Sequence, residues 1–138
     1  MKMREILFHG KRADSGEWVE GDLLQIKYYN KPIIECKIMP QTPVSSAYPV
    51  LSETIGQFTG LTDKNGVRIF EGDICRFKRF NDVHVGKIIF NETTASFVMK
   101  YQSIVGAYGE KATHKMLLSV CDDIEVIGNI HDDPELLR

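Results

Sequence analysis

The stretch Thr54-Ile-Gly-Gln-Phe-Thr-Gly-Leu-Thr-Asp-Lys-Asn-Gly-Val-Arg-Ile-Phe-Glu-Gly-Asp-Ile74 is the densest run of turn signals in the chain. Asp63-Lys64-Asn65-Gly66 reads as a hairpin turn. An Asp side chain starts a type I turn, and Gly accepts the positive φ that closes it. A type I turn followed by a left-handed residue joins antiparallel strands. The flanks agree, with Ile55, Phe58 and Leu61 before the turn and Val67, Ile69 and Phe70 after it. Gly56 and Gly60 mark a bulge or a close backbone approach. Glu71-Gly72-Asp73 is a second break, and a new strand starts at Ile74. A phosphate-cradling loop is excluded, because neither the P-loop spacing nor G-x-G-x-x-G is present and no long helix follows.

Outward from this stretch the chain reads as short strands. Arg4–Gly10 opens the fold, Ala13–Gly16 turns, and Glu17–Glu20 is a short strand holding the only tryptophan, Trp18. In Leu23–Tyr29, Leu24, Ile26 and Tyr28 share one face, the period-2 pattern of a half-buried strand. Ile34, Cys36 and Ile38 alternate with Glu35 and Lys37 as its hairpin partner. Pro40–Ser52, with Pro40, Pro43 and Pro49, reads as an extended connection. It marks a boundary between an N-terminal β-rich part, 1–52, and a C-terminal barrel-like β unit, 53–138. Strands follow at Ile74–Phe80, Val83–Phe90, Ala95–Tyr101, Met116–Val120 and Ile124–Ile130, and Ser103–His114 reads as a mobile glycine-containing loop. Asp133 before Pro134 predicts a short terminal helical turn. Asp14–Leu23 and Lys64–Ile74 share one layout: turn, short strand, Glu-Gly-Asp, new strand. The fold class is therefore all-β, with the two parts packed as one body.

The matching words Ile55–Gly66, Ile69–Ile74 and Glu125–Leu137, with the opening Arg4–Gly10, resemble the YopX family of phage and prophage proteins. The resemblance runs end to end, except in Pro40–Ser52 and Ser103–His114. It implies a mostly β fold and a product acting in the cytoplasm of a bacterial host. It brings no activity, cofactor or catalytic residues.

Composition limits function. The chain has 138 residues, 43% hydrophobic and 26% charged, with a net charge of −2. It has no overall basic footprint and no run long enough for a membrane helix, and its first nine residues, with no long apolar region, do not read as a secretory signal. Cys36, Cys75 and Cys121 lie far apart in apolar runs and fit buried thiols in a reducing cytoplasm. A Cys nucleophile would need a His partner in space, and these cysteines read as buried.

Three readings of function remain. The leading one is a phage accessory protein that binds a protein partner or itself, with no cofactor, no metal and no membrane contact. Uncovered strand edges suit an oligomer. The second is nucleic-acid binding. Arg76-Phe77-Lys78-Arg79-Phe80, with Lys87, interleaves basic and aromatic residues, so a strand face could hold phosphates while a ring stacks a base. The sites are then Arg76, Lys78, Arg79 and Lys87. The alternative for this run is an outward face paired with Asp122, Asp123 and Glu125. The third is a metal-dependent hydrolase using Glu71 and Asp73, or Glu20 and Asp22, against which stands a turn whose carboxylates cap backbone amides. His9, His84, His114 and His131 lack metal-ligand spacing. His131-Asp132-Asp133 is the best cluster and reads as a turn and helix cap.

Overall fold

A computed structural model of the chain describes residues 3–32, 34–41 and 46–137. The fold is all-β, built of antiparallel strands with short 3-10 turns. It divides into two compact units, residues 1–60 and 61–138. The division falls inside a strand and not in the Pro40–Ser52 connection, which returns to pair within the first unit. Pro43 lies outside the described residues.

The first unit contains β1 (Phe8–Lys11), β2 (Trp18–Lys27), β3 (Ile34–Met39), β4 (Tyr48–Pro49) and the start of β5 (Gly56–Thr62). Their order in the sheet is β4-β3-β2-β1-β5. Cys36, Ile38 and Val50 form its buried centre, with Phe8, Val19, Leu23 and Ile55 packed around them. The inward positions of β2 thus begin at Val19 and Leu23. Leu24 and Tyr28, expected on a half-buried face, are exposed.

The second unit opens with the turn that decides the fold. The Asp63 amide donates to the Val67 carbonyl at 2.7 Å and the Gly66 amide to the Asp63 carbonyl at 3.0 Å. Gly66 has φ 81°. The chain continues as β6 (Arg68–Phe70), β7 (Asp73–Arg79), β8 (Asp82–Asn91), β9 (Ser96–Val105), β10 (Glu110–Leu117) and β11 (Asp122–Asn129). Five of these form a sheet in the order β10-β9-β8-β7-β11. The expected barrel does not close. β10 and β11 occupy opposite edges, and closure would require them to pair. Between them, Leu118–Val120 forms a 3-10 turn where the end of a strand was expected.

The parity of the ladder separates the two faces of this sheet. Cys75, Phe77, Ile88, Met99 and Tyr101 lie on one face and join Ile69, Leu118 and Cys121 in the core. Ile74, Arg76, Lys78, Val85, Lys87, Lys100, Gln102, Ile104, Lys111, Thr113 and Lys115 lie on the other, called here the outward face.

Two further expectations are corrected. Ser103–His114 is no loose loop: β9 and β10 pair without a break from Val98–Leu117 to Val105–Glu110. Their turn contains Gly106 at φ 78° and Gly109 at φ 75°. The Glu-Gly-Asp repeat is not a repeated turn. Gly72 turns the chain between β6 and β7 with φ 93°. Glu20-Gly21-Asp22 instead runs straight through β2. A Cβ at Gly21 would lie 2.0 Å from the Met39 carbonyl oxygen, so this glycine allows a close strand approach. Both positions need glycine, for different reasons.

Candidate functional site

The aspartates of the two Glu-Gly-Asp pairs both accept hydrogen bonds. Buried Asp73 accepts the Phe70 amide at 2.8 Å. Asp22 accepts from the Gln41 amide nitrogen at 2.8 Å. The two pairs belong to separate units. Among the described residues no three His, Cys, Asp or Glu side chains are grouped to hold a metal. In the His131 cluster, the Asn129 side-chain oxygen accepts the amides of His131 and Asp132 at 3.0 and 2.9 Å. Asp133 accepts the Asn129 amide at 3.2 Å. Pro134–Leu137 then forms the terminal 3-10 turn.

The cysteines are free and buried. Burial, with Asp73 and Asp63 nearby, pushes the Cys75 thiol far up. Burial likewise raises Cys121. Neither is poised as a thiolate nucleophile. His84 and His114 flank Tyr101 at ring distances of 4.8 and 4.9 Å on the core-side face, and His114 shares a 2.6 Å hydrogen bond with Ser103.

Asp63 is a structural carboxylate. It accepts the amides of Asn65 and Val67 at 2.8 and 2.9 Å, and that of Val126 on β11 at 2.9 Å. Burial alone would raise its pKa, but these three donors outweigh it and hold the carboxyl below its ordinary value. One side chain therefore closes the turn and fastens β11 to it.

The basic run of β7 is divided by the strand. Arg76 and Lys78 point outward, as period 2 requires. Arg76 lies 3.6 Å from Glu125, which also takes Lys64 at 3.2 Å. Lys78 lies 3.6 Å from Asp123. Arg79 has the opposite parity. It donates to the Val120 carbonyl at 3.1 Å and stacks on Phe80 at 4.2 Å. Phe77 is in the core.

Lys87 belongs to a different group. Across the ladder it faces Lys100, and Lys100 faces Lys115, so three lysines line up on β8, β9 and β10. Among the described residues none of these, nor Lys111, has an ion pair. Lys87, Lys100 and Lys111 line a depression of about 400 Å³ with Val85, Gln102, Thr113 and Ile104. Leu137 forms one wall. The terminal turn can lie against this face because Gly128 has no side chain. A Cβ there would come within 2.9 Å of Leu136 and 2.6 Å of the Asp133 carboxylate.

Like charges placed directly opposite each other oppose folding. A row of lysines without carboxylates therefore carries a standing electrostatic cost, which a bound anion would remove. Sequence reasoning found Lys87 but not Lys100 or Lys111. The signal was available only through register, because Ile104 and Lys111 become neighbours when β9 pairs with β10.

Comparison with known proteins agrees with this fold. The chain is similar to a crystal structure of protein EF1440 from Enterococcus faecalis, at 24% identity and a TM-score of 0.52, covering 99% of this chain and 100% of that one. No curated protein matches. The family model described as YopX protein matches residues 7–138. The chain belongs to the YopX family.

Proposed function

We propose that this phage-type protein acts by binding and not by catalysis, and that the outward face of its second unit binds nucleic acid. The observation that carries this reading is the convergence of Lys87, Lys100 and Lys111 on one depression with no carboxylate partner among the described residues. Lysine ammonium groups meet phosphates as point charges. Gln102 and Thr113 add hydrogen-bonding groups beside them. Two acids of this sheet, Glu125 and Asp123, are turned to Arg76 and Lys78 and not to these lysines. The three free thiols suit a reducing compartment, where nucleic acid would be met.

Lys87 belongs to the proposed interface. Arg76 and Lys78 stand at its margin, already engaged by acids, and Arg79 turns to the other face. The test is a fluorescence-anisotropy titration of labelled oligonucleotides at ~50 and ~200 mM salt. Binding should weaken steeply with salt and fall in Lys100→Gln. No binding at the lower salt would reject the reading.

A further inference from the structure

We infer that the tip of the β9–β10 hairpin makes this face selective for single-stranded nucleic acid, with Ile104 and Tyr108 meeting unpaired bases while Lys87, Lys100 and Lys111 hold the phosphates of the same strand. The inference rests on the proposed nucleic-acid reading and deepens it.

The hairpin exposes apolar surface at Ile104, which lines the cationic depression, and at Tyr108, in the turn beyond it. Ile104 is 73% exposed and Tyr108 93% exposed. Ile104 lines the depression, directly across the ladder from Lys111. Tyr108 sits in the turn that joins these two strands, between Gly106 and Gly109. The ladder is regular up to that turn, so Ile104 is held at a fixed place relative to the lysines and Tyr108 follows within a few residues. The depression itself mixes the two chemistries, with Val85, Ile104 and Leu137 beside three lysines.

A duplex stacks its bases inside and presents phosphate ridges, so an exposed tyrosine and isoleucine would find little to contact. A single strand offers a base face next to each phosphate. Aromatic side chains that stack bases beside a basic groove are the usual means of holding single strands without sequence preference. Tyr101 is not available for this role, because its ring is buried against Phe77, His84 and His114.

The experiment compares a ~12-nucleotide single strand with the duplex of the same sequence, by anisotropy at ~50 mM salt. It uses the full chain, Tyr108→Ala and Ile104→Ser, each checked for an unchanged circular dichroism spectrum and melting midpoint. The single strand should bind at least about tenfold more tightly than the duplex. Each substitution should weaken single-strand binding about tenfold and leave duplex affinity and the salt slope unchanged. Equal affinity for the two oligonucleotides, or no effect of Tyr108→Ala, would overturn the hairpin inference and leave the nucleic-acid reading standing. Failure of both oligonucleotides to bind would overturn both.

Discussion

Toward β11, the cations of the outward face come with carboxylates; toward β10, they do not. Arg76 and Lys64 share Glu125, and Lys78 has Asp123. Lys87, Lys100 and Lys111 have no such partner among the described residues, and two of them face each other directly. The first arrangement is an ordinary surface ion-pair network, in which each exposed pair contributes little to stability. The second leaves charge free for a ligand and accepts repulsion in its absence. The difference shows that a basic run in sequence is not the same as available positive charge. What matters is which strand becomes its neighbour.

The largest expected effect tests how the acidic side is held. Asp63 fastens β11, which carries Asp123 and Glu125, through the Val126 amide. Asp63→Ala leaves three amides without their acceptor and should cost about 3 kcal/mol, read as a shift in the urea unfolding midpoint. The same carboxylate fixes a pH dependence. Its folded pKa lies below its unfolded one. Its contribution is therefore complete above about pH 4 and is lost as pH falls through the lowered folded value. Asp63→Ala should flatten the loss of stability over that window.

The next effect breaks the comparison from the cationic side. The combined variant Lys87→Gln, Lys100→Gln, Lys111→Gln should weaken oligonucleotide binding about 100-fold at ~50 mM salt, since three phosphate contacts and their counterion release disappear. A smaller effect sharpens it. Asp123→Asn with Glu125→Gln frees Arg76, Lys64 and Lys78, and should tighten binding about threefold while steepening the salt dependence. The smallest concerns stability alone. Lys100→Gln removes the middle charge of the lysine row and should raise stability by about 0.5 kcal/mol while weakening binding. A residue that opposes folding and supports binding is what a ligand site requires.

Much of the fold was legible from local chemistry. Asp63-Lys64-Asn65-Gly66 carries its turn in its own side chains and glycine, and Asp133-Pro134 marks the last 3-10 turn. Alternation placed Cys36, Ile38, Met99 and Tyr101 inward. The Glu-Gly-Asp repeat misled because glycine serves both a left-handed turn at Gly72 and a close strand approach at Gly21. Ser103–His114 read as a loop because its glycines are visible locally, whereas the eight-position ladder around them is a non-local pairing. The site suffered most from this. Arg76, Lys78 and Arg79 stand together in sequence, and the strand sends Arg79 to the opposite face. Lys87, Lys100 and Lys111 stand far apart in sequence and are assembled only by register. The pairing of Arg76 with Glu125 and of Lys78 with Asp123 was foreseeable as a charge balance, but its geometry depends on β11 reaching the far edge of the sheet.

The most direct measurement is the slope of log Kobs against log salt for a single-stranded oligonucleotide, compared between two variants. One is Lys87→Gln with Lys100→Gln and Lys111→Gln; the other is Arg76→Gln with Lys78→Gln. The account predicts that the first variant flattens the slope by about 2, at roughly 0.7 per lost phosphate contact on a single strand, and that the second leaves it nearly unchanged. Equal flattening in both variants, or flattening only in the second, would contradict the claim that the two halves of this face differ in available charge.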